Sequence, residues 1–137
     1  MIVADTGAVL ALIDADDHYH AELLTVYEED PGAWILPWAI LPEVDYLLQR
    51  HVGDHAERAF LRDIGSGSYA VEWGHEGDLQ RASEICDQYR SLHLGLVDAV
   101  VIAVAERLGA ASIATLDLRH FASVDMRGSP RLLPRDR

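Results

Sequence analysis

Short apolar strands alternating with helices predict an α/β fold with a mainly parallel central sheet flanked by helices. Three observations carry that reading. Ile2-Val3-Ala4 and Trp34 to Pro37 are continuous apolar runs, and Ala111 to Leu116 is apolar but for Ser112 and Thr115, as strands covered on both faces require. The segments between them space their apolar residues at the helical period. Glycine, proline and acidic clusters punctuate the chain where one element gives way to the next.

Taken in order, Ile2-Val3-Ala4 ends at the polar Asp5-Thr6-Gly7 and reads as a buried strand followed by a turn. Ala8 to Ile13 is expected to be a short helix and Asp14 to Asp17 an acidic loop. From His18 to Glu29, Ala21, Leu24 and Tyr27 follow a helical period, and Asp30-Pro31-Gly32 stops that helix. Trp34 to Pro37 is a second short strand, closed by proline. A helix is expected from about Ala39 to His51, with Pro42 near its start, where proline is tolerated. Ile40, Val44, Leu47 and Leu48 form its apolar stripe. Gly53 separates it from a helix over Asp54 to Ile64, which Gly65-Ser66-Gly67 ends. Tyr69 to Trp73 alternates like a strand. Gly77 to Leu92 is amphipathic, with Leu79, Ala82, Ile85, Cys86 and Tyr89 on one side. After a loop at residues 93–96, Val97 to Leu108 is apolar almost all round, so it should be a buried helix, capped by Gly109. Ala111 to Leu116 is a buried strand ending at Asp117. The tail from Gly128 reads as irregular, with an edge strand near Leu132-Leu133. No internal repeat, linker or low-complexity segment divides the chain, so one domain over residues 1–137 is expected.

Composition narrows the chemistry. With 137 residues, 50% of them hydrophobic, the chain can bury a core without disulfides or a structural metal. The single cysteine, Cys86, excludes an internal disulfide and fits a reducing cytoplasm. The opening Met-Ile-Val-Ala-Asp has no basic region and no long apolar stretch, so no secretory signal is expected. Ala99 to Ala105, the longest apolar run, falls far short of the roughly 20 residues a membrane span needs. The 23 acidic residues outweigh 11 basic ones, for a net charge of −12. That argues against holding nucleic acid by a broad basic surface and suits a basic protein partner. There is no lysine at all. Schiff-base chemistry, P-loop nucleotide hydrolysis and lysine-dependent phosphoaspartate chemistry are thereby excluded.

In an open α/β sheet, ligands bind beyond the carboxyl ends of the strands. Asp5 and Asp117 each follow a strand directly. Glu43, in the first turns of the helix after Trp34 to Pro37, and Asp98, at the start of the buried helix, are expected on the same rim. Helix N-termini stabilise negative charge by roughly 0.3–1 kcal/mol, too little to hold four acids together. Either some stay protonated or a divalent cation sits among them. All-oxygen ligands suit Mg²⁺, with Mn²⁺ as a substitute, rather than Zn²⁺. A pair of such ions would be able to activate water for phosphodiester hydrolysis.

Four segments, in order, resemble the PIN-domain family. Val3-Ala4-Asp5-Thr6-Gly7-Ala8 resembles its opening strand followed by Asp and Ser or Thr. Pro42-Glu43-Val44-Asp45-Tyr46-Leu47-Leu48 looks like its second motif and Gly95-Leu96-Val97-Asp98-Ala99 its third. Thr115-Leu116-Asp117-Leu118-Arg119-His120-Phe121 is similar to the fourth. The likeness spans nearly the whole chain and is greatest to the VapC ribonuclease toxins of toxin–antitoxin pairs. It implies a cytoplasmic, Mg²⁺- or Mn²⁺-dependent endoribonuclease, a cognate antitoxin and a homodimer. It implies Asp5, Glu43, Asp98 and Asp117 as catalytic metal-binding acids, with Thr6 and Thr115 orienting carboxylates or water. Leu118 departs from the pattern, standing where many relatives carry a polar or basic residue.

Plainer roles stand beside these. Asp5, Asp98 and Asp117 would also serve as turn or cap residues. Asp45, two residues from Glu43, is expected on another helix face and in solvent. Arg119 and His120 lie beside the site as candidate phosphate contacts, His120 also as a structural hydrogen-bonding group. His18 and His20 diverge on a helix. Arg50, His51, Arg58 and Arg62 read as solvated helix faces. Cys86 is expected in the core, and Trp34, Trp38 and Trp73 in the core or a dimer contact. Two other functions fit the acidity: a non-catalytic module of the same fold that binds a basic protein, and a metal-dependent phosphatase.

Overall fold

The computed structural model describes all 137 residues. The chain runs β1 (Ile2–Ala4), α1 (Thr6–Ile13), α2 (His20–Glu29), β2 (Trp34–Pro37), α3 (Leu41–His51), α4 (Asp54–Ser66) and β3 (Ala70–Glu72). It continues through α5 (Glu76–Gln88), α6 (Leu96–Leu108), β4 (Ser112–Ala114), α7 (Leu118–Phe121) and β5 (Arg131–Leu133). Single 3₁₀ turns at Pro31–Ala33, Trp38–Ile40 and Arg90–Leu92 link neighbouring elements.

The five strands form one sheet in the order β3-β2-β1-β4-β5, and every neighbouring pair is parallel. The first three strands step outward on one side of β1. The chain then returns to the other side, where β4 pairs Ile2 with Ser112, Val3 with Ile113 and Ala4 with Ala114. The direction of winding reverses between β1 and β4. A gap opens at such a reversal, beyond the carboxyl ends of the two strands, and ligands of open α/β sheets settle there.

The core explains why the strands lack alternation. Val3, Ala4, Ile113 and Ala114 are all fully buried, so both faces of the central strands are covered. Every residue from Ala99 to Ala105 is buried. Helix α6 therefore needs an apolar surface all round, because it packs on α5 and on strands β1 and β2 at once. Gly109 ends it in the left-handed conformation, at φ 60°, which glycine adopts without a Cβ penalty.

Several boundaries differ from the sequence expectation. Helix α1 begins at Thr6, because Asp5 caps it instead of opening a turn. The last central strand stops at Ala114, and residues 115–117 leave it to build a hydrogen-bonded corner. The expected helix to Leu92 ends at Gln88, and His93 adopts φ 53° beyond the following turn. Leu79 and Trp73, expected inward or at a contact, are 46% and 71% exposed. Trp34 is buried and Trp38 half-buried. Arg50, His51, Arg58 and Arg62 are exposed, as solvated helix faces are. Cys86 is half-buried, its thiol directed to the Leu94 carbonyl at 3.6 Å.

A charged seam closes the α5–α6 pair. Asp78, only 2% exposed, caps α5 by accepting from the His75 N–H at 2.9 Å. It also takes two bonds from the Arg107 guanidinium, at 2.7 and 3.0 Å. Burial pushes the Asp78 carboxyl up, but Arg107 and the His75 amide outweigh it and hold it below the usual carboxylate range. Arg81 grips Glu106 the same way, with two bonds at 2.8 and 3.2 Å.

Candidate active site

Asp5 leaves β1 with extended backbone, its N–H bonded to the Ala114 carbonyl at 3.0 Å. Its carboxylate then caps α1 by accepting from the Ala8 N–H at 2.8 Å. The other oxygen accepts from the Thr115 hydroxyl at 2.5 Å, across the β1–β4 boundary. The Thr115 oxygen in turn accepts from the Asp117 N–H at 3.0 Å. One hydroxyl therefore ties the two strand-end acids into a single corner.

Asp117 caps the short helix α7, accepting from the His120 N–H at 3.1 Å. One turn on, the His120 ring returns to the corner. Its Nδ1 lies 2.9 Å from Asp117 Oδ2 and 3.1 Å from Asp98 Oδ2. Asp98 reaches the same point from the first turn of α6. Glu43 comes from the first turn of α3 and is exposed, so it stands at the mouth. Asp5, Glu43, Asp98 and Asp117 line one cleft of about 490 Å³, with Leu10, Leu47 and Leu116 as its apolar wall. Thr6 lines it too, its buried hydroxyl without a hydrogen-bond partner.

The charges show what this cleft lacks. Burial pushes the Asp5 carboxyl from 3.8 up to about 7, despite the bonds from Thr115 and Ala8; the charges of Asp98 and Asp117 add to the rise. Burial also raises Asp98, partly offset by the His120 hydrogen bond, with Asp117 and Glu43 pushing the same way. The site thus gathers more negative charge than its one imidazole can balance. Ligand atoms of Asp98, Asp117 and His120 lie within 4.8 Å of one another, a spacing that can hold an ion. Oxygen donors predominate, which fits a hard divalent cation.

The four acids named from sequence therefore meet in one place, and both threonines adjoin them. Arg119 is exposed and absent from the cleft lining. His120, expected beside the site as a structural hydrogen-bonding group, has that role; that its partners are both Asp98 and Asp117 was not legible in the sequence. Asp45, expected in solvent, is half-buried, with one carboxylate oxygen lacking a partner. Asp14 and Asp17 are turn residues, accepting from the Asp16 and Tyr19 amides at 3.0 and 2.8 Å. No helix is long and apolar enough to cross a membrane.

Known proteins resemble this chain in sequence and fold. A ribonuclease VapC26 of Mycobacterium tuberculosis is 30% identical over 130 residues, covering 95% of this chain and 96% of its own. The crystal structure of M. tuberculosis VapC20, described as a Sarcin-Ricin loop cleaving toxin, superposes with a TM-score of 0.75 at 25% identity, covering 82% of this chain and 87% of that one. A toxin–antitoxin complex from Klebsiella pneumoniae shares the fold, with a TM-score of 0.70 at 18% identity over 91% of this chain and 93% of that one. FitAcB from Neisseria gonorrhoeae does so at 0.64, with 10% identity over 96% of each chain. The PIN domain family model matches residues 2–126, which include all four carboxylates of the corner, and by that match and the near end-to-end likeness to a VapC ribonuclease the chain belongs to the PIN-domain family.

Proposed function

We propose that the protein is a Mg²⁺- or Mn²⁺-dependent endoribonuclease, the toxin half of a VapBC-type pair. The observation that carries this is the corner itself: four carboxylates on the strand-reversal rim, two of them raised above their ordinary range by burial, with their acidic neighbours adding to the rise. Asp5, Glu43, Asp98 and Asp117 are the residues that would hold the cation. A divalent ion would supply Lewis acidity, making a bound water easier to deprotonate and offsetting charge on the phosphate oxygens.

The chain's own residues supply position. Thr115 fixes Asp5 and the Asp117 backbone relative to one another. His120 holds Asp98 and Asp117 side by side. The free Thr6 hydroxyl is placed to orient a carboxylate or a water. Leu10, Leu47 and Leu116 keep one wall dry, which strengthens electrostatic effects there. Arg119, exposed next to Asp117, is a candidate contact for a neighbouring phosphate. In the reaction, water adds to the scissile phosphorus and the bond to the 3′ oxygen breaks, leaving 5′-phosphate and 3′-hydroxyl ends.

The same reading gives a cytoplasmic homodimer with a cognate antitoxin. An arginine-bearing antitoxin segment would pair with the acidic cleft, silencing the site by occupying its carboxylates. One experiment separates this from the other functions the acidity fits. Antitoxin-free protein is offered a structured RNA pool and a generic phosphate ester in Mg²⁺ or Mn²⁺, and RNA products are mapped at their ends. The proposal expects internal RNA cuts with 5′-phosphates and an untouched ester. Ester hydrolysis with intact RNA would make it a phosphatase. Inertness towards both would leave a protein-binding module.

A further inference from the structure

Beside the catalytic cleft lies a second, smaller pocket of about 170 Å³, on the scale of one nucleobase. Leu116 forms a wall of both cavities. Thr115, which holds Asp5, lines the small pocket from the same stretch of chain. Tyr19, Glu22, Leu118 and Arg135 supply most of the rest. Core packing does not account for these side chains: Tyr19 is 42% exposed and Leu118 37%. The Glu22 carboxylate is exposed and enters no ion pair.

We propose that this pocket is a subsite for one unpaired RNA base flanking the scissile phosphate, and that it favours guanine. The inference rests on the ribonuclease reading, which places the phosphate in the adjoining cleft. A nucleotide next to that phosphate must put its base somewhere within one residue's reach, and the cavity across Leu116 is the concave surface available there. Proteins take up splayed bases by stacking them on aromatic rings and bonding their Watson–Crick edges. Tyr19 offers the ring and Leu118 an apolar floor. Glu22 is an acceptor only. Among the four RNA bases, only guanine presents two adjacent donors on that edge, N1–H and the N2 amino group, matching the two oxygens of a carboxylate. A subsite that grips a base also asks for little positive charge, as suits a chain of net charge −12.

The test has a cleavage arm and a binding arm. Wild type, Tyr19→Ala, Tyr19→Phe and Glu22→Gln are assayed on RNAs in which each base flanking the cut is varied. In parallel, short single-stranded oligonucleotides are titrated onto Asp98→Asn carrying the same second changes, so that binding is read without turnover. Wild type is expected to prefer guanine at one flanking position. Glu22→Gln should erase that preference. Tyr19→Ala should lower kcat/KM about tenfold for every base, through KM, with Tyr19→Phe close to wild type. Cleavage indifferent to the flanking base and to Tyr19 would overturn the subsite and leave the ribonuclease standing. Binding that depends on Tyr19 and Glu22 without any cleavage would keep the subsite and sink the reaction. A pocket that Tyr19→Ala alters only for antitoxin affinity belongs to the protein partner, and the proposal fails.

Discussion

Replacing Asp5 with Asn should abolish activity yet make the cation-free protein more stable at alkaline pH. Asp5 is 4% exposed, and its carboxyl rises from 3.8 to about 7 on folding. Below pH 3.8 the carboxyl is protonated in folded and unfolded chains alike, and folding is not penalised. As pH rises, the unfolded chain gives up this proton first, so stability falls until the folded carboxyl also ionises near 7. At about 1.36 kcal/mol per pH unit, the rise from 3.8 to about 7 makes the full loss about 4 kcal/mol. Asn never ionises. It forfeits one of the two bonds that Asp5 accepts, from Ala8 or Thr115, at a cost of about 1 kcal/mol. The net expectation is a gain of about 3 kcal/mol at pH 8, roughly 10 °C in melting temperature for a chain of this length. Near pH 4 the gain disappears, and the variant becomes slightly the weaker. Urea unfolding in EDTA at several pH values reads the difference directly, since groups common to both proteins cancel. A difference that does not change with pH would refute the reasoning, as would a wild type that is the more stable protein at pH 8.

Other consequences follow from single contacts. Thr115→Val strips Asp5 and the Asp117 amide of their shared partner; it should cost about 1–3 kcal/mol and most of the activity, with Thr115→Ser restoring both in unfolding and cleavage assays. His120→Ala removes the imidazole between Asp98 and Asp117 and should weaken Mn²⁺ uptake about 10- to 100-fold by calorimetry; unchanged affinity would show that the ring does not position the acids. Arg107→Ala leaves the buried Asp78 unpaired, far from the cleft. It should lower unfolding free energy by about 3 kcal/mol while kcat of the folded enzyme stays constant.

The parts of this molecule that could be read from sequence are those set by local pattern. Ile2–Ala4 and Trp34–Pro37 could be bounded to the residue, because one apolar run ends at the polar Asp5 and the other at a proline. Asp5 stood out because a carboxylate directly after a buried strand lands on the rim where parallel sheets bind ligands, and Asp117 because it closes the segment that leaves β4 three residues earlier. Glu43 and Asp98 needed the order of four motifs, since an acid in a helix's first turn is ordinary by itself. What escaped depended on tertiary contact. Nothing local shows that Thr115 bonds Asp5, 110 positions away. The His120 ring meets Asp98 only because α6 and α7 converge. Leu79 has the spacing of a core residue but faces solvent, as α6 takes up only part of the apolar face of α5. Nothing local to Tyr19 and Glu22 shows that the chain beyond β4 brings Leu116 beside them.

In the proposed reaction the four carboxylates act as one cation site that cuts RNA. The most direct test is the rate of RNA cleavage against Mn²⁺ concentration, for wild type and Asp98→Asn, both shown to be folded by circular dichroism. The account predicts saturable activation of the wild type, none in EDTA, and a variant inactive at every concentration. Cleavage that persists in EDTA, or an Asp98→Asn variant that follows the wild-type curve, would contradict it.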